Sequence, residues 1–233
     1  ARTTRGRRKT ADLKTTSRIR LKKLTEQPSS VSGPLLLVAS NNGGKIREIR
    51  ALLDGVDVVC PDDLNLHLEV EETGSTFVAN AALKARAFAS ETGLIALADD
   101  SGLQVDALDG APGVFSARYG GAGLDDVGRY RLLLEHMNAF PDPHQRSARF
   151  CCTIFVAAPD GRTCQAEGTC EGRIAHAASG ENGFGYDPIF FLPDHDCTMA
   201  ELAAEQKNAL SHRAKALKAV YPALQQTFPE LSL

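Results

Sequence analysis

The segment Leu35-Leu36-Leu37-Val38-Ala39 constrains the fold more than any other part of the chain. Five apolar residues run without interruption between Pro34 and the turn-forming Ser40-Asn41-Asn42-Gly43-Gly44. A run this short, bounded by Pro and Gly, reads as a buried β-strand. The period then changes, because Ile46, Ile49 and Leu53 recur at helical spacing. Val56–Val59 reads as a second strand. Strand, glycine turn, helix, strand is the opening of an α/β fold.

The same signals continue along the chain. Phe77, Ala81, Ala85 and Phe88 stripe a helix predicted over Ser75–Thr92, with Asn80 and Lys84 on its opposite side and Gly93 as its stop. Leu94–Ala98 is a predicted strand ending in a turn at Asp99-Asp100-Ser101-Gly102, beyond which Leu103–Val105 can continue. Asp125–Met137 has helical spacing. Ala148–Ala157 and Arg162–Thr169 form a predicted antiparallel pair joined at Pro159-Asp160-Gly161. A last helix is predicted from about Asn208 to Tyr221, striped by Leu210, Ala214, Leu217 and Tyr221. Lys207 joins that stripe if the helix reaches back to it.

Charge divides the chain in two. Residues 1–33 hold ten Lys/Arg against Asp12 and Glu26, so the remaining 200 residues carry −11 within a total of −3. We read 1–33 as a basic, disordered extension and 34–233 as the folded domain. The extension lacks an apolar signal-peptide core; its Arg-rich, acid-poor composition keeps organelle targeting as an alternative to the cytoplasm. An acidic body is a poor nucleic-acid surface, so a polyanionic ligand needs a local basic pocket or a metal. No apolar run approaches the roughly 18 residues of a membrane span. The six cysteines include no C-x-x-C pair, which excludes zinc-ribbon and thioredoxin readings and favours buried reduced thiols.

Four constellations carry chemistry. Ser40-Asn41-Asn42-Gly43-Gly44-Lys45 is either an ordinary strand–helix turn or an anion loop, with backbone N–H groups, a helix dipole and the Lys45 charge. It is not a Walker A loop, since Ile46 stands where Ser/Thr would bind magnesium. Glu69-Val70-Glu71-Glu72 and Asp99-Asp100-Ser101-Gly102 are either solvated acidic turns or a magnesium site with a water-activating carboxylate. Gly183-Phe184-Gly185-Tyr186-Asp187-Pro188 is a core-capping turn or an aromatic base platform. Lys207 and Ser211-His212-Arg213 are a solvated helix start or a set of donors for carbonyl or phosphate oxygens. Together they suit a nucleoside triphosphate with magnesium.

These segments resemble, in family order, the inosine triphosphate pyrophosphatase family (dITP/XTP pyrophosphatases). The matching residues are Ser40-x-Asn42-x-x-Lys45-x-x-Glu48, Glu71-Glu72-Thr73-Gly74-x-Thr76-Phe77-x-x-Asn80-Ala81-x-x-Lys84-Ala85 and Ala98-Asp99-Asp100-Ser101-Gly102-Leu103. Then come Gly110-Ala111-Pro112-Gly113-Val114-Phe115-Ser116-Ala117-Arg118-Tyr119, Gly183-Phe184-Gly185-Tyr186-Asp187-Pro188-Ile189-Phe190 and Lys207-Asn208-Ala209-x-Ser211-His212-Arg213. The resemblance covers about residues 35–224. It implies a two-lobed α/β fold around a mixed sheet with the site in the cleft, a homodimer, and a magnesium requirement. It also implies hydrolysis of nonstandard purine nucleoside triphosphates (ITP, dITP, XTP) to monophosphate and pyrophosphate.

The resemblance assigns roles residue by residue. Ser40, Asn41, Asn42, Gly43, Gly44, Lys45 and Lys84 hold phosphates. Glu71, Glu72 and Asp100 hold magnesium, with Glu69 in reserve. Asp100 activates water, supported by Asp99, with Ser101 beside them. Phe184 stacks the purine, and Gly185, Tyr186, Asp187, Lys207, His212 and Arg213 complete the base pocket. The competing reading is a purine nucleotide-binding regulator without catalysis. A dinucleotide oxidoreductase fails for want of G-x-G-x-x-G after the first strand.

Overall fold

Seven strands form one mixed sheet in the computed structural model, which describes residues 35–53 and 55–231. The reading of 1–33 as an extension lies outside the described residues. The apolar run becomes β1 (Leu36–Val38), fully buried, and leads through the glycine turn into α1 (Gly43–Leu52). β2 (Val58–Val59) follows. Thr76 caps α2 (Phe77–Thr92) by accepting from the Ala79 amide, and Gly93 ends it in the left-handed region. β3 (Ile95–Val105), α3 (Asp126–Met137), β4 (Ser147–Ala157) and β5 (Thr163–Ile174) come next. β6 (Phe190–Leu192), β7 (Cys197–Thr198), α4 (Ala204–Leu210) and α5 (His212–Thr227) complete the order.

The sheet order is β2-β1-β3-β4-β5-β6-β7. β1 pairs in parallel with β2 and β3, and every later pairing is antiparallel. α1 and α5 bury Ile46, Ile49, Leu217 and Val220 against one face of the β1 end, with Leu36, Leu97 and Ile154. α2 covers the opposite face through Ala81, Ala85 and Phe88. A separate cluster of Leu103, Leu133, Met137, Phe150, Ile189 and Phe190 forms the core of the far half. β3 runs through all of this, and its polar middle lies between Ala98 of one core and Leu103 of the other.

Three expectations need correction. Asn80 is fully buried alongside Ala81 and Phe88, so Asn80 and Lys84 flank the apolar stripe of α2 rather than oppose it. Asp99-Asp100-Ser101-Gly102 is not a turn; β3 continues through it, paired to Ile154, Thr153, Cys152 and Cys151 of β4. Gly102 is there for space, since a Cβ at that position would collide with the Gly113 carbonyl and the Ser116 hydroxyl. The predicted last helix is also two helices. Ser211 is extended at ψ 159° and its hydroxyl caps α5 by accepting from the Ala214 amide. Lys207 therefore belongs to the short α4, not to the α5 stripe. α5 runs on past Pro222 to Thr227, and its buried side is Ala214, Leu217, Val220 and Leu224 rather than Tyr221. α5 lies so close to β5 that a Cβ at Gly168 would overlap the α5 backbone at His212 and Ala216.

Candidate active site

The site begins where β1 stops. Beyond Leu97, β3 has β4 on one side and, among the described residues, no strand on the other until Gln104 bridges Pro112. Polar groups from both faces of the sheet meet around this open edge. Strand alternation sends neighbouring carboxylates to opposite faces. Asp99 shares a face with Ile154 and α5, and Asp100 shares one with Thr153 and α2.

Asp99 is an anchor. Its side chain is fully buried and bonded by Arg213 Nε (2.8 Å), Lys45 Nζ (2.5 Å), the Ser101 hydroxyl (2.8 Å) and Cys152 Sγ (3.1 Å). Burial alone would raise its pKa, but Arg213 and Lys45 outweigh it and hold the carboxyl well below the usual range. Arg213 then bridges to Glu48 through Nη1 and to Ser101 Oγ through Nη2 at 3.0 Å. Glu48 also accepts from Lys207 Nζ at 2.8 Å, and Lys207 donates to Asp187 as well. This buried chain of alternating charges joins α1, β3, α4, α5 and the 183–187 turn.

Asp100 is placed differently. Lys84 Nζ sits 3.1 Å from its Oδ1, 3.0 Å from Glu72 Oε1 and 2.8 Å from the Asp99 carbonyl on the strand edge. Asp100 Oδ2 is buried with no partner. Burial raises the Asp100 pKa, and Lys84 and Lys45 do not offset it. Burial would likewise raise Glu72, but Lys84, Arg118 and Lys45 bring it below an ordinary Glu. An ammonium already held between two carboxylates, with one carboxylate oxygen unpartnered, fits a hard cation bound by one or two carboxylates and completed by water and substrate oxygens. No cluster of three or more His, Cys, Asp or Glu side chains suited to a metal occurs among the described residues. Glu71 is exposed and lines neither cavity described below, because Leu66, Leu68, Val70 and Glu72 alternate inward and leave it outside. Glu69 reaches the rim of the outer cavity.

Two cavities share Asn42, Lys45, Glu72 and Ala117. The outer one, about 430 Å³, is lined by Ser40, Asn41 and Lys84 as well. Asn42 caps α1 by accepting from the Lys45 amide, and Ser40 Oγ accepts from the Asn42 amide. The Gly43 and Gly44 amides make no hydrogen bond to the described residues, which leaves them for an anion. The inner cavity, about 140 Å³, is lined by Asp100, Ser101, Phe184, Asp187, His212 and Arg213, among others. His212 is buried, stacked on Phe150 at 4.8 Å, and its Nδ1 has no partner. Burial and the neighbouring Arg213 push its pKa well down, so the imidazole is neutral. Lys207 Nζ lies 4.7 Å and Arg213 Cζ 5.7 Å from the Phe184 ring centre. An inner aromatic and polar chamber joined to an outer cationic one has the shape of a nucleoside with its phosphates.

Residues 36–223 match the Ham1 family. The chain belongs to the Ham1 family. Among relatives, the dITP/XTP pyrophosphatase of Desulforamulus reducens is 51% identical over 185 residues, 78% of this chain and 92% of that protein. That of Bacillus licheniformis is 46% identical over 82% of this chain and 98% of its own. The solved Ham1 protein of Coxiella burnetii aligns at TM-score 0.74 and 43% identity, covering 83% of this chain and 99% of that one. The mixed α/β sheet is thus the Ham1 fold.

Within this Ham1 site the structure brings together Ser40, Asn41, Asn42, Lys45, Glu72, Lys84, Asp99, Asp100 and Ser101. Phe184, Gly185, Asp187, Lys207, His212 and Arg213 form the inner end. Gly44 packs against Phe184, and Gly43 is exposed at the α1 start. Tyr186 lines the inner cavity, but its hydroxyl is committed to the Ser116 carbonyl at 2.9 Å. Sequence reasoning gave no role to Glu48, the hub of the Arg213–Lys207 chain, nor to Arg118, 3.2 Å from Glu72. Both stood within the resembling motifs. Glu48 is one helical turn from Lys45, the only local sign that it faces the site.

Proposed function

We propose that the chain hydrolyses nonstandard purine nucleoside triphosphates, ITP, dITP and XTP, to monophosphate and pyrophosphate. The observation that carries this is Asp100: a buried carboxylate oxygen without a partner, beside the junction of a base-sized inner chamber and a lysine-lined outer one. The dITP/XTP pyrophosphatase names of the relatives support the substrate class. Magnesium belongs to the same reading, with Glu72 and Asp100 as its holders, where it would neutralise developing phosphate charge. A homodimer is part of the reading on family likeness alone.

Each residue then has a chemical task. The outer chamber holds the phosphates on the 43–44 amides, Lys45 and Lys84. Asp100 takes a proton from water as the water oxygen bonds to phosphorus and the α–β anhydride breaks; the proton leaves on Asp100 and the bridging oxygen departs with pyrophosphate. Asp99 remains ionised throughout and fixes Lys45 and Arg213. In the inner chamber Phe184 stacks the purine. Three hydrogen bonds occupy Arg213, which leaves two of its five N–H groups for a base carbonyl. Hypoxanthine and xanthine offer O6 there, whereas adenine offers a 6-amino donor to a donor.

The deciding assay incubates the protein with magnesium and ITP, XTP, GTP or ATP and separates pyrophosphate from orthophosphate. Pyrophosphate from ITP and XTP, with little from GTP and ATP, is expected. Orthophosphate alone would move the cut to the γ position and overturn the reading. Binding without any release would leave the nucleotide-binding regulator.

Gly44→Ala tests the base platform. A Cβ at that position would lie 2.6 Å from Phe184 Cδ1 and 2.8 Å from Cε1, so the ring must shift. With base stacking worth about 1–3 kcal/mol, the KM for ITP should rise roughly tenfold or more while kcat changes less. An unchanged KM would mean that Phe184 does not carry the base.

A further inference from the structure

Arg118 has no part in the reaction above. It ends the 3₁₀ segment Gly113–Arg118, which crosses the open edge of β3. That segment is held firmly. The Ser116 hydroxyl accepts from the Leu103 amide (2.9 Å) and donates to the Gly113 carbonyl (2.7 Å), and the Ser116 carbonyl takes the Tyr186 hydroxyl. Its next residue, Ala117, lines both chambers. The Arg118 guanidinium then reaches Glu72, with Nη1 3.2 Å from Oε2 and Nη2 3.5 Å from the carbonyl, and lies over the Phe115 ring at 5.0 Å.

The three cations near Glu72 are not equivalent: Lys45 and Lys84 line the outer chamber, and Arg118 stands beside it on Glu72. Lys45 and Lys84 are 15% and 14% exposed, and each is tied to a buried aspartate. Arg118 is 43% exposed, and among the described residues its one carboxylate partner is Glu72. Both Glu72 oxygens are engaged, Oε1 by Lys84 and Oε2 by Arg118. An incoming phosphate competes with Glu72 for this half-exposed guanidinium fork, with or without a bound cation. A planar fork pairs with two phosphate oxygens at once, which an ammonium cannot do.

We propose that Arg118 binds the β and γ phosphates, the part of the substrate that leaves as pyrophosphate, and that Glu72 holds it in reserve until the site is loaded. This rests on the proposed function and adds a substrate contact to it.

The test measures binding of inorganic pyrophosphate and of inosine monophosphate by calorimetry to wild type, Arg118→Ala and Arg118→Lys, with magnesium and with EDTA. Release of pyrophosphate from ITP is followed in parallel. Arg118→Ala should weaken pyrophosphate binding about 10- to 100-fold in both conditions, the scale of one or two charge-assisted hydrogen bonds. Monophosphate binding should be unchanged, and Arg118→Lys should recover part of the loss. Weakening with magnesium but not with EDTA would mean that Arg118 only positions Glu72, and would overturn the contact. Pyrophosphate affinity within twofold of wild type in both conditions would overturn it as well. If the wild type itself released no pyrophosphate from ITP, the proposed function would fall, whatever the variants bind.

Discussion

Asp100→Asn should lower kcat for ITP by about 10²–10⁴-fold, the usual contribution of a positioned general base, while KM moves little. The amide keeps the size and one oxygen of the carboxylate, so the chamber keeps its shape. It cannot take a proton from water, and its NH₂ must face either Lys84 or the orphaned position. Asp99→Asn is a different experiment, because Asp99 meets Arg213 and Lys45 rather than the chamber. Stopped-flow binding and single-turnover chemistry separate the two. Asp100→Asn should bind ITP and stall, and Asp99→Asn should lose stability as well. Wild-type turnover in Asp100→Asn would remove Asp100 as the base.

Arg213→Ala should be the most damaging single change to stability. It strips a partner from Asp99, whose side chain is fully buried, and from Glu48, which is 13% exposed. Breaking a buried ion pair from one side costs about 3–5 kcal/mol, because the remaining charge stays desolvated. For a domain of this size that lowers Tm by roughly 10 °C. The pH dependence gives a second readout. The folded-state pKa of Asp99 is depressed, so its contribution is present above the unfolded value and lost as pH falls through the folded one. Without Arg213 that contribution shrinks, and the variant should gain less stability between acid and neutral pH than wild type. Where the variant folds, the loss in kcat/KM should be larger for ITP than for ATP. Equal losses, with Tm unchanged, would mean that Arg213 neither reads the base nor holds the site together.

Much of this was legible before any coordinates. A five-residue apolar strand, a glycine turn and an amphipathic helix are local signals, and β1 and α1 follow from them. The paired β4 and β5 were announced by Pro159-Asp160-Gly161. What failed was decided by distant parts of the chain. Asp-Asp-Ser-Gly has the composition of a turn, but Gly102 is small because the Gly113 carbonyl presses on it from eleven residues away. Once those four residues are strand, adjacent aspartates must face opposite ways, and their roles divide. Ser211 reads as helix interior until its extended backbone shows it to be a cap. Glu48 carries no role in the sequence reading, because its partners Lys207 and Arg213 lie over 150 residues on. The sequence reading puts Lys84 opposite the apolar stripe, but it lies one turn from Phe88 and lines the same cavity, so α2 turns it toward the site.

The unpaired stretch of β3 has a further consequence. An unpaired strand edge is a template for a strand from another molecule, and this one is guarded first by burial, with Asp99 1% and Asp100 6% exposed. Here the carbonyl that such a strand would engage first, that of Asp99, is already taken by the Lys84 ammonium, and the flanking side chains are carboxylates. A neighbouring chain approaching this edge would have to displace a charge and desolvate others before gaining one hydrogen bond. The groups that equip the edge for chemistry thus also protect the protein from self-association, and apolar replacement of Asp100 and Lys84 together would expose it to both inactivity and aggregation.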